Sequence, residues 1–297
     1  MDRISDSGSD GSGSIPLGGT NQFIHSQMKF INRIAAFAVL AVALCSCGTV
    51  ALTGRRQLLL YSDSDILSLS DQSFEQFNAT AALSTNKTMT DRVNRVSTKL
   101  VNAMENYFKK TGQTSYMSGL KWQVELVKSE EVNAFALPSG KIVVYEGLLK
   151  YADSEDLLAV VIGHEMAHAI AKHSNERMSQ QSVVNKVTQT VEAAAAATGK
   201  VSNSSIAVFD AAMGLGGQYG VLLPFSRKQE YEADRIGLIL MSMAGYDIEQ
   251  APNLWVKMTQ AGSSSKVPEL LSTHPSDENR IKNLMNCMEE AKSYRAK

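Results

Sequence analysis

The stretch Val160-Val161-Ile162-Gly163-His164-Glu165-Met166-Ala167-His168 decides how the rest of the chain is read. On a helix, residues four apart share a face one turn apart, so the imidazoles of His164 and His168 can grip one metal ion with Glu165 beside them. Two imidazoles and one further protein ligand hold zinc with a position left for water, whose pKa the metal lowers to roughly 7. A neighbouring carboxylate then takes the proton. Upstream, Asp153 or Ser154 can cap a helix, Glu155 and Asp156 suit its first turn, and Leu157 to Ile162 are apolar nearly all round. Such a helix belongs in a core, where two histidines and a glutamate are costly to bury unless something satisfies them, and a metal does so.

A third ligand must come from elsewhere in the chain. Arg227-Lys228-Gln229-Glu230-Tyr231-Glu232-Ala233-Asp234-Arg235-Ile236-Gly237 reads as a helix that continues through Leu238-Ile239-Leu240. Glu230 and Asp234 share a face at i and i+4, whereas Glu232 is turned by roughly 200° and is expected to point away. The spacing therefore assigns Glu230 as the third ligand. Asp234 is placed to accept the second ring N–H of a ligating histidine, which fixes its tautomer and raises its basicity. His173, five residues beyond His168, reads as a packing or supporting residue rather than a fourth ligand.

Around this pair of helices the chain has the composition of an ordinary globular protein, with 297 residues, 44% of them hydrophobic, and a net charge of -1. Nothing in that balance suggests a nucleic-acid partner. Residues 1–27 are Ser/Gly-rich and low in apolar content, and are expected to be a disordered extension or a misassigned start ahead of Met28. Lys29 and Arg33 precede an unbroken apolar run from Ile34 to Leu44, so residues 28–46 read as a signal peptide. Leu44-Cys45-Ser46-Cys47 is similar to a bacterial lipobox, with Cys47 the residue that would be lipidated. Gly48 after that cysteine favours sorting to the outer membrane, giving a lipid-anchored protein on its periplasmic side. Only Cys287 then remains in the mature domain, and no internal disulfide is available.

Residues 47–80 are expected to hold a polar tether at Thr53-Gly54-Arg55-Arg56-Gln57 and a helix near Ser64 to Phe77, ahead of a domain spanning residues 81–297. Val93, Val96, Leu100, Met104 and Phe108 recur at three and four, an amphipathic helix ended by Gly112. Trp122, Val124 and Leu126 alternate with polar residues as in a half-buried strand. Asn133-Ala134-Phe135-Ala136-Leu137-Pro138-Ser139-Gly140 leads into a β-rich run from Lys141 to Tyr145. A strand just before the His-bearing helix can rim a cleft and bind an extended peptide as an added strand. Residues 174–226 read as a helical hairpin and loop beside that cleft.

The His164-Glu165-x-x-His168 motif, the Glu230-x-x-x-Asp234 pair and the Asn133 to Pro138 stretch together resemble the gluzincin metallopeptidases that include HtpX and the type I CAAX prenyl proteases. In kind the chain is nearest the lipid-anchored periplasmic members similar to BepA and LoiP, and the resemblance runs from roughly Leu58 to Lys297. It implies an α+β, mainly helical zincin-like domain with a small β-sheet over the active-site helix, and one zinc per chain. It also implies endopeptidase chemistry on extended or misfolded proteins of the bacterial cell envelope, with Glu165 activating zinc-bound water and Asn133, Ala134 and Phe135 binding substrate. Ser272-Thr273-His274-Pro275-Ser276-Asp277-Glu278-Asn279-Arg280 is similar to the family's His-Pro-x-x-x-x-Arg segment. Its histidine can occupy the open zinc position as a fourth ligand or, with Arg280, help stabilise an oxyanion; both roles remain open for His274. A chaperone-like assembly factor with a latent zinc site is the alternative of another class.

Overall fold

The computed structural model describes residues 47–183, 225–262, 269–274 and 278–295. The expectations for residues 1–27 and 28–46, and for most of 174–226, lie outside the described residues. In chain order, β1 (Cys47–Thr49) pairs with β2 (Arg56–Leu58), followed by α1 (Asp63–Asn78) and α2 (Lys87–Lys110). β3 (Gln123–Val127), β4 (Ala134–Ala136) and β5 (Lys141–Tyr145) come next, then α3 (Glu155–Ile170). α4 (Arg227–Met243), α5 (Ala251–Gly262), α6 (Glu269–Thr273) and α7 (Glu278–Ser293) complete the described chain. The architecture is α+β and mainly helical, with one small sheet beside the central helix. Among the described residues, no helix is long and apolar enough to cross a membrane.

The central helix is α3. Ser154 caps it by accepting from Leu157 N, and every side chain from Leu157 to Ile170 is buried. Packing explains that uniform burial, because α2, α4, α5 and β4 all lie against this one helix. α2 presents the expected stripe, Val93, Val96, Leu100, Met104 and Phe108, toward it. α4 starts in a capping box between Ser226 and Gln229, which fixes where its first turn, with Glu230, begins.

α3 and α4 meet closely at two glycines. A Cβ on Gly163 would stand 3.2 Å from the Gly237 carbonyl oxygen, and one on Gly237 would stand 3.1 Å from His164 N. Either distance is tighter than ordinary van der Waals contact, so both helices run backbone against backbone at the point where the metal-binding motif begins.

The three-stranded sheet has the order β3-β5-β4. β5 pairs parallel with β3, Val124 opposite Ile142, and antiparallel with β4, Phe135 opposite Val143. Both faces of β5 are covered. Ile142 and Val144 enter the main core, while Val143 packs with Val127 and Phe74 of α1 in a second cluster. This is why β3 ends in two consecutive buried residues, Leu126 and Val127, rather than keeping the expected alternation. β4 is one of the sheet's two outer strands, and it lies against α3.

The stretch expected as a polar tether is folded into the domain. Val50, Ala51 and Gln57 are buried around a turn in which Leu52 and Gly54 have positive φ, 67° and 70°. Gly54 suits that backbone, and Val50 N donating to Arg55 O at 2.8 Å closes the turn. The reason this polar segment stays down is side-chain pairing: Thr53 and Arg55 both reach carboxylates on other elements.

Candidate active site

His164 and His168 project from the same face of α3, with ring centroids 4.7 Å apart, and Glu230 comes to them from the first turn of α4. His274, just beyond α6, joins the group. His164, His168, Glu230 and His274 are all buried and each offers one ligating atom within 4.8 Å of the others. His164 Nε2 lies 3.0 Å from His168 Nε2, 3.2 Å from His274 Nδ1 and 3.3 Å from Glu230 Oε2. Glu230 Oε1 lies 3.4 Å from His168 Nε2 and 3.0 Å from His274 Nδ1. A tetrahedral zinc with bonds near 2.0–2.1 Å has edges of about 3.3 Å between neighbouring ligand atoms. The five separations above, 3.0–3.4 Å, lie close to that figure.

The protons point to the same conclusion. His164 Nδ1 sits 2.9 Å from Asp234 Oδ1, which assigns that nitrogen a proton; His168 Nδ1 sits 2.9 Å from His173 Nδ1, and because His173 Nε2 donates to Glu232 Oε2 at 3.0 Å, the proton between the two rings belongs to His168. The two Nε2 lone pairs then face one another, an arrangement that needs a cation between them. Burial and the Arg280 charge push His164 down, but the Glu230 and Asp234 carboxylates outweigh both and raise it to about 9, which shows how strongly this position favours positive charge. Burial holds His168 well below its ordinary value, in the neutral form that ligates a metal. Burial raises Glu230, but Arg280 and then His274 and His164 outweigh it, keeping the carboxylate ionised. The donor set of two imidazoles, one carboxylate and a further imidazole is one that zinc accepts.

Glu165 stands beside this set. Its Oε2 accepts from Ala136 N at 2.9 Å, an N–H of β4 that points away from β5. Its buried Oε1 makes no hydrogen bond, although His274 Nε2 approaches to 3.4 Å. Burial pushes the Glu165 carboxyl above the usual carboxylate range, opposed by His274 and His164. A carboxylate whose pKa is raised by burial is a better proton acceptor and can also return the proton.

Arg280 is fully buried on α7. Its Nε and Nη2 donate to Asp234 at 2.6 and 2.9 Å, Nη1 lies 2.9 Å from Glu230 Oε2, and the guanidinium stacks 3.7 Å over Trp255. The oxyanion role expected for Arg280 does not fit a guanidinium already held by two carboxylates. Its place is behind the ligands, where it orients Asp234 and Glu230 and neutralises them.

The structure separates the residues expected to bind substrate. Ala134 is fully buried, and Phe135 packs edge-on against Phe77 at 5.5 Å. Asn133 donates to Glu131 at 3.2 Å. What β4 offers the cleft is therefore backbone rather than these side chains. Near its end, Pro138 joins Ile66, Leu67, Tyr116, Leu120 and His168 in lining a cavity next to the metal group.

Sequence reasoning missed a second polar cluster. Glu232 does turn away from Glu230, but into the protein, where His173 Nε2 lies 3.0 Å from its Oε2. Burial works against its charge, yet hydrogen bonds from His173, Thr53 and Arg55 prevail and bring Glu232 down to about 2. The available signal was the acidic residue two positions after a ligand, on a helix that becomes apolar from Ile236 onward.

A buried His-x-x-x-His pair with an adjacent glutamate, completed by a glutamate from a second helix, defines the class: a zinc metallopeptidase domain with a carboxylate third ligand. The chain belongs to Peptidase family M48, which residues 94–288 match. It is similar to the mitochondrial metalloendopeptidase OMA1 of Schizosaccharomyces pombe, 39% identical over 182 residues that cover 61% of this chain and 51% of the relative. OMA1 of Arabidopsis thaliana is 41% identical over 180 residues, covering 60% of this chain and 34% of the relative. The β-barrel assembly-enhancing protease of Escherichia coli strain K12 is 31% identical over 169 residues, 54% of this chain and 33% of the relative. The chain thus spans about half or less of the length of these curated relatives.

These relatives correct one expectation. Placement on the periplasmic side of a bacterial outer membrane was expected from the lipobox-like Leu44 to Cys47, from Gly48 and from likeness to the periplasmic members, whereas the matches at 39% and 41% are mitochondrial enzymes and the bacterial one stands at 31%. Neither these matches nor the described residues support the lipid anchor expected at Cys47.

Proposed function

We propose that this domain is a zinc-dependent endopeptidase that cleaves extended protein segments. The observation that carries the reading is the buried Glu165 carboxylate, one oxygen pinned by Ala136 N–H and the other without a hydrogen bond beside a four-residue metal group. His164, His168 and Glu230 would hold the ion. When bound, zinc polarises a scissile carbonyl and acidifies water. Glu165 Oε1 would accept a proton from the attacking water and return it to the departing amine nitrogen. Asp234, clamped by Arg280, keeps His164 in the tautomer whose Nε2 is free to ligate. The outer strand β4 supports substrate binding through main-chain groups, which favours unfolded segments of varied sequence. Treatment with a chelator is expected to abolish casein cleavage, and added zinc to restore it; cleavage that survives verified metal removal would overturn the reading.

His274 supports a closed resting state. Its Nδ1 is within 3.2 Å of ligand atoms on both Glu230 and His164, and its Nε2 approaches Glu165. One imidazole therefore stands between the metal group and the general base, where water has to enter. Four protein ligands make a structural type of site, and catalysis needs the fourth to leave. The His274→Ala enzyme is expected to cleave casein several-fold faster than the parent at equal zinc occupancy. Slower cleavage would instead assign His274 an assisting role in the reaction.

A further inference from the structure

The protein supports its two ligating imidazoles in different ways. His164 Nδ1 meets a carboxylate directly, Asp234, which Arg280 clamps. His168 Nδ1 meets another imidazole, His173 Nδ1, at 2.9 Å. With His168 Nε2 turned to the ligand group, its proton sits on Nδ1 and is donated to His173 Nδ1. The His173 proton must then lie on Nε2, which donates to Glu232 Oε2 at 3.0 Å. Glu232 also accepts from Arg55 Nε at 2.7 Å and from Thr53 Oγ1 at 2.5 Å. The other two Arg55 nitrogens hold Glu176 at 2.6 and 2.7 Å, a two-pronged pair.

Each hydrogen bond in this series has only one direction that satisfies both partners, so the carboxylate end dictates the tautomer at the ligand end. Resting on the metallopeptidase reading above, we propose that Arg55 is a positioning residue of the metal centre, fixing the ring and tautomer of His168 through Glu232 and His173. It plays for His168 the part that Arg280 plays for His164. Arg55 lies on the turn between β1 and β2, ahead of the family-matching span 94–288, so the centre draws support from outside that span. A planar guanidinium is needed because it must serve two carboxylates at once, which a single ammonium does less well.

The test uses the full chain, with zinc affinity measured by competition against a chromophoric chelator and ligand geometry read from the visible spectrum of the cobalt-loaded protein. Arg55→Met is expected to weaken zinc binding by about 10–100-fold and to alter the cobalt bands, with Arg55→Lys intermediate. His173→Phe is expected to weaken binding to a similar degree. Because both act through one series, the double variant is expected to bind no more weakly than His173→Phe alone. Parent-like zinc affinity in Arg55→Met, accompanied only by a lower melting temperature of the metal-free protein, would reduce Arg55 to a brace and overturn the proposal; so would a double variant whose loss is the product of the single losses. Should Arg55→Met fail to fold, Thr53→Val removes one donor to Glu232, with an expected loss of about 2–10-fold in zinc affinity, and unchanged affinity overturns the proposal. A parent protein that binds no zinc would overturn the metallopeptidase reading itself.

Discussion

Glu165→Gln protein is expected to bind zinc as the parent does and to lose casein hydrolysis by about 10²–10⁴-fold. Glutamine has the shape of glutamate, and its carbonyl oxygen can still accept from Ala136 N, so β4 keeps its seat against α3. The oxygen lost to chemistry is Oε1, which makes no hydrogen bond in the folded chain. An amide there cannot remove a proton from water, whatever the ion does to that water's acidity. The measurement pairs zinc stoichiometry with initial rates on casein. The same variant separates the enzyme from a chaperone-like factor with a latent site: full function of Glu165→Gln in cells would make turnover dispensable.

Arg280→Met is expected to destabilise the metal-free protein by about 3–5 kcal/mol, the range seen when one partner of a buried ion pair is removed. The arginine is fully buried and faces two ionised carboxylates, Glu230 and Asp234, which burial alone would raise. Methionine fills much of the volume but leaves both charges without their guanidinium. Urea unfolding in the presence of chelator measures the loss. Repeated with saturating zinc, it should show a smaller one, since a bound cation takes over part of the compensation at Glu230. Equal losses with and without zinc would show that Arg280 does not share its carboxylates with a metal.

The parts of this site set by spacing along a helix were legible from sequence. His164 and His168 at i and i+4, Glu165 beside them, and Glu230 with Asp234 on a second helix all follow from a period of 3.6, and the structure brings them together. His274 was readable as a neighbour through its His-Pro segment, but not whether it would close the site, because that depends on where α6 sets it down. The setting of Arg280 was not legible, because it turns on depth, and sequence shows a charge without showing its burial. Thr53 and Arg55 were out of reach for a different reason. A short polar turn looks the same as a linker until the carboxylates that hold it, Glu176 and Glu232, are known to lie within 2.7 Å. Lost alternation in β3 has a similar origin, since the helix covering its second face is far away in sequence.

Where α3 crosses α4, the two peptide backbones touch through Gly163 and Gly237 with no side chain between them. The gap between the imidazole pair and its carboxylate partner is thereby set by the thickness of main chain. Side chains can change rotamer when a neighbour changes size, but a peptide plane has no such freedom. Drift in the size of surrounding apolar residues is thus absorbed elsewhere while the bite on the ion stays constant, and an ion much wider than zinc would have to wedge two helices apart.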